Sequence, residues 1–318
     1  MENESEIPIL DFRRSSGVTL EKGSEGWKEM SKKVREAFES RGCFLLKCDE
    51  ISKELCGQLF TGMKSLFDLP EDTKEKFVSP KLYRGYINKS YAIPNSQSFG
   101  IDSDLDHDTT HQDFINLMWP QGNPIFSEAL SSMYSKTREL SSLILKMVVE
   151  GFDLPQHYNL DVEELGSTNG TRLTRYQHPE EKKDTEIAFV PHTDMGTITF
   201  ICENEVQGLQ VLSKTGNWVD VNIPPNGFVV ICGDALKAWS NGRFQAIMHR
   251  VVTRGDKERF VYVLFTISKD SAVIKAPSEL VDEENYPLRY RSFKYGDYVH
   301  YQYSTRTQKE RLESYAEI

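Results

Sequence analysis

The chain has 318 residues, 38% of them apolar and 11% aromatic, enough to build a sizeable core and to exclude disorder as the main state. Its formal charge is -10 and its Lys and Arg residues are scattered, so nothing builds the positive field that a phosphate backbone requires. A small molecule is therefore the expected partner, not nucleic acid.

The acidic start MENESEIPILDF lacks the basic and apolar stretches of a secretory leader, and no run approaches ~18 apolar residues, so no membrane span is expected. Five cysteines, with no C-x-x-C pair, suggest neither a disulfide framework nor a thiolate zinc site. A reducing, cytosolic setting follows. No feature specifies an oligomeric state; a monomer is the working expectation.

In chain order, Trp27, Met30, Val34, Ala37 and Phe38 recur at helical spacing, and Gly42 closes that helix. Cys43 to Leu46 reads as a short buried strand. Ile51, Leu55, Leu59, Met63 and Leu66 mark a second helix ended by Pro70. A longer third helix begins near Phe126 and carries Leu130, Met133, Leu140, Ile144 and Met147. Between the last two lies Ser79 to Gly122, polar and too long for a simple connection, which is expected to be a functional or mobile loop.

From Arg172 the character changes to short β-branched runs separated by turn residues. They are Gly196–Cys202, Gly208–Leu212, Asn217–Val221, Gly227–Cys232 and Arg259–Ile267. Such spacing predicts an antiparallel sandwich or barrel. The expected architecture is mainly β with α: a jelly-roll core, a double-stranded β-helix, over 166–318 with a C-terminal helix. A helical N-terminal region over 1–165 packs on it from the substrate side as part of one folding unit.

Val190-Pro-His192-Thr-Asp194 carries the strongest chemistry. Along a strand, i and i+2 share a face, so His192 and Asp194 can offer a nitrogen and an oxygen to one ion. His249, in His249-Arg-Val251, can add a third ligand from a neighbouring strand. Two imidazoles and a carboxylate leave three octahedral positions open and suit non-haem Fe(II). His111-Gln-Asp113, with His107 before it, offers a rival set, but without strand pattern or downstream partner it reads as a solvated loop.

Ten positions after His249, Arg259 opens an apolar strand with Val261, Val263 and Phe265 on its own face. An inward guanidinium there needs an anion, either a dicarboxylate cosubstrate or the acid of a structural salt bridge.

These features, with Ile7-Pro-Ile-Leu-Asp11, Leu66-Phe-Asp-Leu-Pro70, Leu117-Met-Trp-Pro120, Gly208-Leu-Gln-Val211, Gly233-Asp234, Asn241-Gly-Arg243 and Leu280-Val-Asp282, resemble a known family. It is that of the plant 2-oxoglutarate/Fe(II)-dependent dioxygenases of the isopenicillin N synthase-like superfamily. The resemblance extends from Ile7 to about Pro287. It is greatest to short members of specialised metabolism, such as glucosinolate side-chain dioxygenases, deoxypodophyllotoxin synthase and steroidal-alkaloid hydroxylases.

The resemblance implies that His192, Asp194 and His249 hold Fe(II), and that Arg259 and Tyr176 hold the distal carboxylate of 2-oxoglutarate. O2 is the oxidant and ascorbate a supporting reductant. Phe265 is expected against the substrate, with Phe114, Met118 and Trp119 as further walls. The implied reaction is C–H hydroxylation, desaturation or ring closure of a small metabolite, with release of succinate and CO2. Two departures stand out: Val261 replaces the family's serine and Thr174 its asparagine. Loss of a hydrogen bond to a charged acceptor costs roughly 1.5–3 kcal/mol, so cosubstrate binding is expected to weaken unless another group substitutes. The alternatives left open are a same-fold iron oxidase that uses no oxo acid and a non-catalytic binding relative.

Overall fold

The computed structural model describes residues 6–17, 20–81, 84–88, 95–103, 110–177, 186–305 and 311–318. Up to residue 165 the elements are β1 (Ile9–Asp11), α1 (Glu25–Ser40), β2 (Cys43–Lys47), α2 (Lys53–Phe67), α3 (Glu71–Lys74), β3 (Gly85–Asn88), β4 (Ser96–Ser103), α4 (Thr110–Met118), α5 (Pro124–Gly151) and α6 (Tyr158–Leu165). There follow β5 (Thr168–Tyr176), β6 (Glu186–His192), β7 (Ile198–Glu203), β8 (Leu209–Leu212), β9 (Trp218–Asp220), β10 (Phe228–Cys232), α7 (Asp234–Trp239), β11 (His249–Thr253) and β12 (Arg259–Ile267). The tail adds β13 (Val273–Ile274), β14 (Phe293–Lys294), α8 (Tyr295–Ser304) and α9 (Arg311–Ala316).

The long helices start where side chains can cap them. Ser24 and Ser52 accept from the amides of Trp27 and Leu55, each at 3.1 Å, and Asn123 followed by Pro124 opens α5. After α1, Gly42 has a φ of +69°, and a Cβ on it would lie 2.1 Å from the Gln245 carbonyl oxygen. Only glycine fits that turn.

Strands β1, β2, β10, β7, β12, β5, β4 and β3, in that order, form an eight-stranded sheet; β6, β11, β8 and β9 form a four-stranded one. Every pairing in the two sheets is antiparallel except that of β1 with β2. The two-residue alternation of strands then separates two cores. On β12, Val261 and Val263 join Ile201, Val229, Ile231, Leu209, Val211 and Val251 between the sheets. Phe260, Tyr262 and Leu264 point the other way, into the larger core with the apolar stripes of α1, α2 and α5. The larger sheet is thus coated with helices on one face and closed by the smaller sheet on the other, the jelly-roll arrangement expected.

The N-terminal half is less purely helical than expected. Four of the eight strands in the larger sheet, β1 to β4, come from before residue 165. The segment Ser79–Gly122, expected to be a loop, contains β3, β4 and α4. β4 pairs along its whole length with β5, from Ser96 opposite Tyr176 to Ser103 opposite Asn169. His111 and Asp113 lie on α4, with His111 buried beside the Tyr134 ring and Asp113 exposed. Two residues apart on a helix, they diverge, so they do not form the rival site. His107 is outside the described residues.

Candidate active site

His192 closes β6 and His249 opens β11, and the antiparallel register places the two Cα atoms opposite each other. Asp194 follows just beyond the end of β6. Its Oδ1 lies 3.7 Å from His192 Nε2 and 3.8 Å from His249 Nε2. One ligand atom from each of the three lies within 4.8 Å of the others, close enough to meet on one ion.

The remaining atoms of the triad are arranged for the same purpose. His192 Nδ1 is 2.8 Å from the Val190 carbonyl and His249 Nδ1 is 3.1 Å from that of Ile247. Each Nδ1–H donates to its carbonyl, leaving the Nε2 lone pair toward Asp194. Burial, then the neighbouring His249, hold His192 down to about 3, so it is a neutral donor at physiological pH. The Phe189 ring stacks on it at 4.1 Å. Asp194 Oδ2 is buried and has no hydrogen-bond partner among the described residues. A buried carboxylate with Oδ2 orphaned and Oδ1 facing two imidazole lone pairs fits a divalent cation.

The turn that carries Asp194 is clamped by the start of α7. Asp234 N–H donates to the Asp194 carbonyl at 2.8 Å and Ala235 N–H to that of Gly196 at 3.1 Å. Gly233 approaches so closely that a Cβ on it would lie 2.1 Å from the Gly196 oxygen. The Asp234 carboxylate accepts from Thr193 Oγ1 at 3.2 Å and Tyr298 OH at 2.7 Å. Burial pushes Asp234 up to about 6, against the lowering effect of those bonds. A raised carboxylate favours the folded state most below its ordinary pKa of 3.8, and that contribution disappears as pH rises through about 6. Asp234→Asn, which cannot ionise, should flatten stability between pH 4 and 6 by on the order of 2 kcal/mol. Urea unfolding across that range checks this; an unchanged pH slope would refute it.

Further along the same inward face, Arg259 and Tyr176 are Cα partners across β12 and β5. The guanidinium lies 5.1 Å from the centroid of the Tyr176 ring. Its Nε donates to Glu203 Oε2 at 2.9 Å and the Val206 carbonyl at 3.0 Å. Nη2 is 2.7 Å from the same Glu203 oxygen, an ion-pair distance without hydrogen-bond alignment, and Nη1 has no partner among the described residues. Both readings of Arg259 therefore have a structural basis: one edge is in a buried salt bridge, and the guanidinium's other contact is Tyr176, whose phenol it holds down against burial.

The next residue pair along the ladder, Val261 opposite Thr174, faces the same cavity, followed by Val263 opposite Arg172 and by Phe265. The cavity lining contains His192, Asp194, His249, Arg259, Tyr176, Val261, Thr174 and Phe265, so the predicted metal, cosubstrate and stacking residues are gathered in one place. Phe114, Met118 and Trp119 do not line it. They are buried in the helical core, where Phe114 packs on Phe77 and Phe99 and Trp119 on Phe126. The apolar face of α4 is consumed by packing against its neighbours.

Sequence reasoning missed Ser98 on β4, Arg172 on β5, Phe189 on β6, Thr199 and Ile201 on β7, and Glu203, which grips Arg259. Ser98 is the informative omission: it is the Cα partner of Thr174, with the two hydroxyl oxygens 3.5 Å apart. Hydroxyls absent from Val261 are thus present one and two strands away in the same row.

A jelly roll with a His-Asp-His cluster at one end of its cavity and a half-free guanidinium on the same wall defines a class of oxygenase scaffold. Comparison with known proteins agrees. Residues 168–268 match the model of the 2OG-Fe(II) oxygenase superfamily, and residues 7–121 match that of the N-terminal region of non-haem dioxygenases in morphine synthesis. "Probable 2-oxoglutarate-dependent dioxygenase AOP1" of Arabidopsis thaliana is 34% identical over 301 residues, covering 93% of this chain and 96% of the relative. "2-oxoglutarate-dependent dioxygenase AOP3" of the same plant is 26% identical over 384 residues, covering 91% and 92%. The crystal structure of the rice dioxygenase for auxin oxidation superposes with a TM-score of 0.81 at 28% identity, covering 98% of this chain and all of the other. The chain belongs to the 2-oxoglutarate-dependent dioxygenases of the 2OG-Fe(II) oxygenase superfamily. No helix among the described residues is long and apolar enough to cross a membrane.

Proposed function

We propose that His192, Asp194 and His249 hold Fe(II), that Arg259 and Tyr176 hold the distal carboxylate of 2-oxoglutarate, and that the enzyme hydroxylates or otherwise oxidises a C–H bond of a small specialised metabolite. The observation that carries this reading is the shared cavity. The three ligand residues, Arg259 and Tyr176 line one space, walled by alternating residues of β5 and β12.

Fe(II) at this triad supplies the redox chemistry that couples oxidative decarboxylation of the oxo acid, to succinate and CO2, with oxidation of the substrate. The chain's own residues orient and shield. The Val190 and Ile247 carbonyls fix the imidazole tautomers, and the α7 clamp fixes Asp194. Arg259 offers Nη1 to a carboxylate, with the Tyr176 ring beneath it limiting its swing. Thr174 and Ser98 present hydroxyls where Val261 has none. Phe189, Ile201, Val263 and Phe265 keep the surroundings apolar, which limits wasteful access of water. The working form in this reading is monomeric and cytosolic, in keeping with five buried free cysteines.

The decisive experiment is anaerobic reconstitution with Fe(II) and 2-oxoglutarate, then admission of O2 over a metabolite panel. The expected result is succinate in proportion to a product heavier by one oxygen or lighter by two hydrogens. Product without succinate would replace this reading with an oxidase that uses no oxo acid.

A further inference from the structure

Arg259 does not meet its proposed ligand as a bare cation. Glu203, at the end of β7, is 97% buried at its side chain, as is Arg259, and the two are joined through Glu203 Oε2 at 2.7 and 2.9 Å. The pair is enclosed. A Cβ on Gly208 would lie 2.4 Å from the Val252 carbonyl oxygen and 3.2 Å from Arg259 Cδ, so the small sheet closes over the arginine without a side chain. The titratable or charged groups acting with Glu203 among the described residues are Arg259 from β12, Tyr176 from β5 and the adjacent Cys202 thiol, and the next cation along the same wall is Arg172 of β5, over the Phe265 ring and felt by Tyr176. Neither the tyrosine nor the thiol adds positive charge: burial raises Tyr176, and Cys202 is held well above its ordinary value by its contact with Cys56 and then by burial.

The Arg259–Glu203 pair is therefore neutral as a unit before any oxo acid arrives, and Arg172 stands farther along the wall, beside Phe265 rather than at the pair. A second carboxylate on the free end of the guanidinium would leave one uncompensated negative charge in a dry place, which is strongly unfavourable. Solvent can relieve it by delivering a proton to Glu203. Glu203 is already biased toward the protonated form by burial, with Arg259 opposing, and a like charge on the same guanidinium pushes it further. Once protonated, Glu203 no longer competes for the cation, and Arg259 can turn its full charge to the ligand.

Resting on the assignment of Arg259 to the distal carboxylate, we infer that Glu203 is a specificity-determining residue that sets the charge of this subsite, so that a doubly charged oxo acid binds together with one proton. The sign follows directly. Affinity for 2-oxoglutarate should weaken as pH rises above the pKa of free Glu203, approaching about tenfold per pH unit. A 2-oxo acid of equal length without a distal carboxylate should show no such term.

The test is calorimetric titration of the anaerobic Fe(II) enzyme with 2-oxoglutarate and, separately, 2-oxopentanoate, at pH 6 to 8. Two buffers of different ionisation enthalpy count the protons. The expected result for 2-oxoglutarate is uptake approaching one proton more than for 2-oxopentanoate. In Glu203→Gln that difference should vanish, and 2-oxoglutarate should bind at least tenfold tighter than to wild type at pH 8. Equal proton counts for the two acids in the wild type overturn the inference, whether or not the variant folds, and leave the Arg259 assignment standing. A 2-oxoglutarate affinity unchanged by Arg259→Met, with metal bound, instead overturns the assignment beneath it.

Discussion

His249→Ala should lose Fe(II) binding and succinate formation together. Replacing even an outer partner of a metal-ligating histidine costs about 10- to 100-fold in affinity or activity, and removing the ligand itself exceeds that. The reason lies in the register. His249 and His192 face each other across β11 and β6, and Asp194 reaches both Nε2 atoms with the same oxygen. Without His249, the remaining nitrogen and carboxylate form an incomplete and laterally unsupported set. The fold should survive, because His249 begins a strand that stays paired on both sides with β6 and β8. Fe(II) titration monitored anaerobically, with circular dichroism as a folding control, reads both quantities. A folded variant that bound Fe(II) as tightly as wild type would remove His249 from the ligand set. His111→Ala serves as the contrasting substitution, since the second H-x-D lies on a helix and is expected to leave Fe(II) binding unchanged.

The second large effect concerns stability as well as binding. Arg259→Met should abolish saturable 2-oxoglutarate binding and also destabilise the protein by about 3–5 kcal/mol, because Glu203 is left buried without its counter-ion. Combining it with Glu203→Gln should restore much of the stability, since no charge then remains to be buried, while binding stays lost. Urea unfolding of the wild type, both single variants and the double variant gives the coupling directly. Additive losses in the double variant would mean that the ion pair is energetically irrelevant and that Arg259 stabilises the strand by packing alone.

The Arg259 environment joins a departure seen in the sequence to one that only the structure shows. Val261 lacks the hydroxyl expected two residues after the arginine, and the structure answers with hydroxyls on the neighbouring strands, at Thr174 and Ser98. Glu203 adds a negative charge that weakens the cation's pull on any second carboxylate. Both changes bear on how a dicarboxylate is held at one end, while the metal end keeps an uninterrupted triad.

Much of this protein is readable from local patterns alone. The stripes of α1, α2 and α5 and the short strands after Arg172 rest on short-range periodicity, which a linear chain displays openly, whereas His249 is joined to His192 and Asp194 by ligand chemistry and family resemblance. β12 is the clearest case: Arg259, Val261, Val263 and Phe265 alternate with Phe260, Tyr262 and Leu264, and the two sets enter different cores. Where the pattern failed, tertiary burial had changed the meaning of polarity. β4 looks like a loop because Ser96, Ser98 and Gly100 replace apolar residues on one face, yet Ser98 on that face lines the cavity beside Thr174, where a hydroxyl is accommodated. Phe114, Met118 and Trp119 looked like pocket walls because they are large and apolar, as the lining of such a site must be, and packing on β4 and α5 buried them elsewhere. Glu203 carried no signal at all, since its meaning depends on an arginine 56 positions away. The chain's periodicity thus determined most of the elements, and its motifs the candidate metal-ligand set. Which charges meet inside the jelly roll was decided only when strands distant in sequence became neighbours, because electrostatic partnership depends on distance in space and on the exclusion of water.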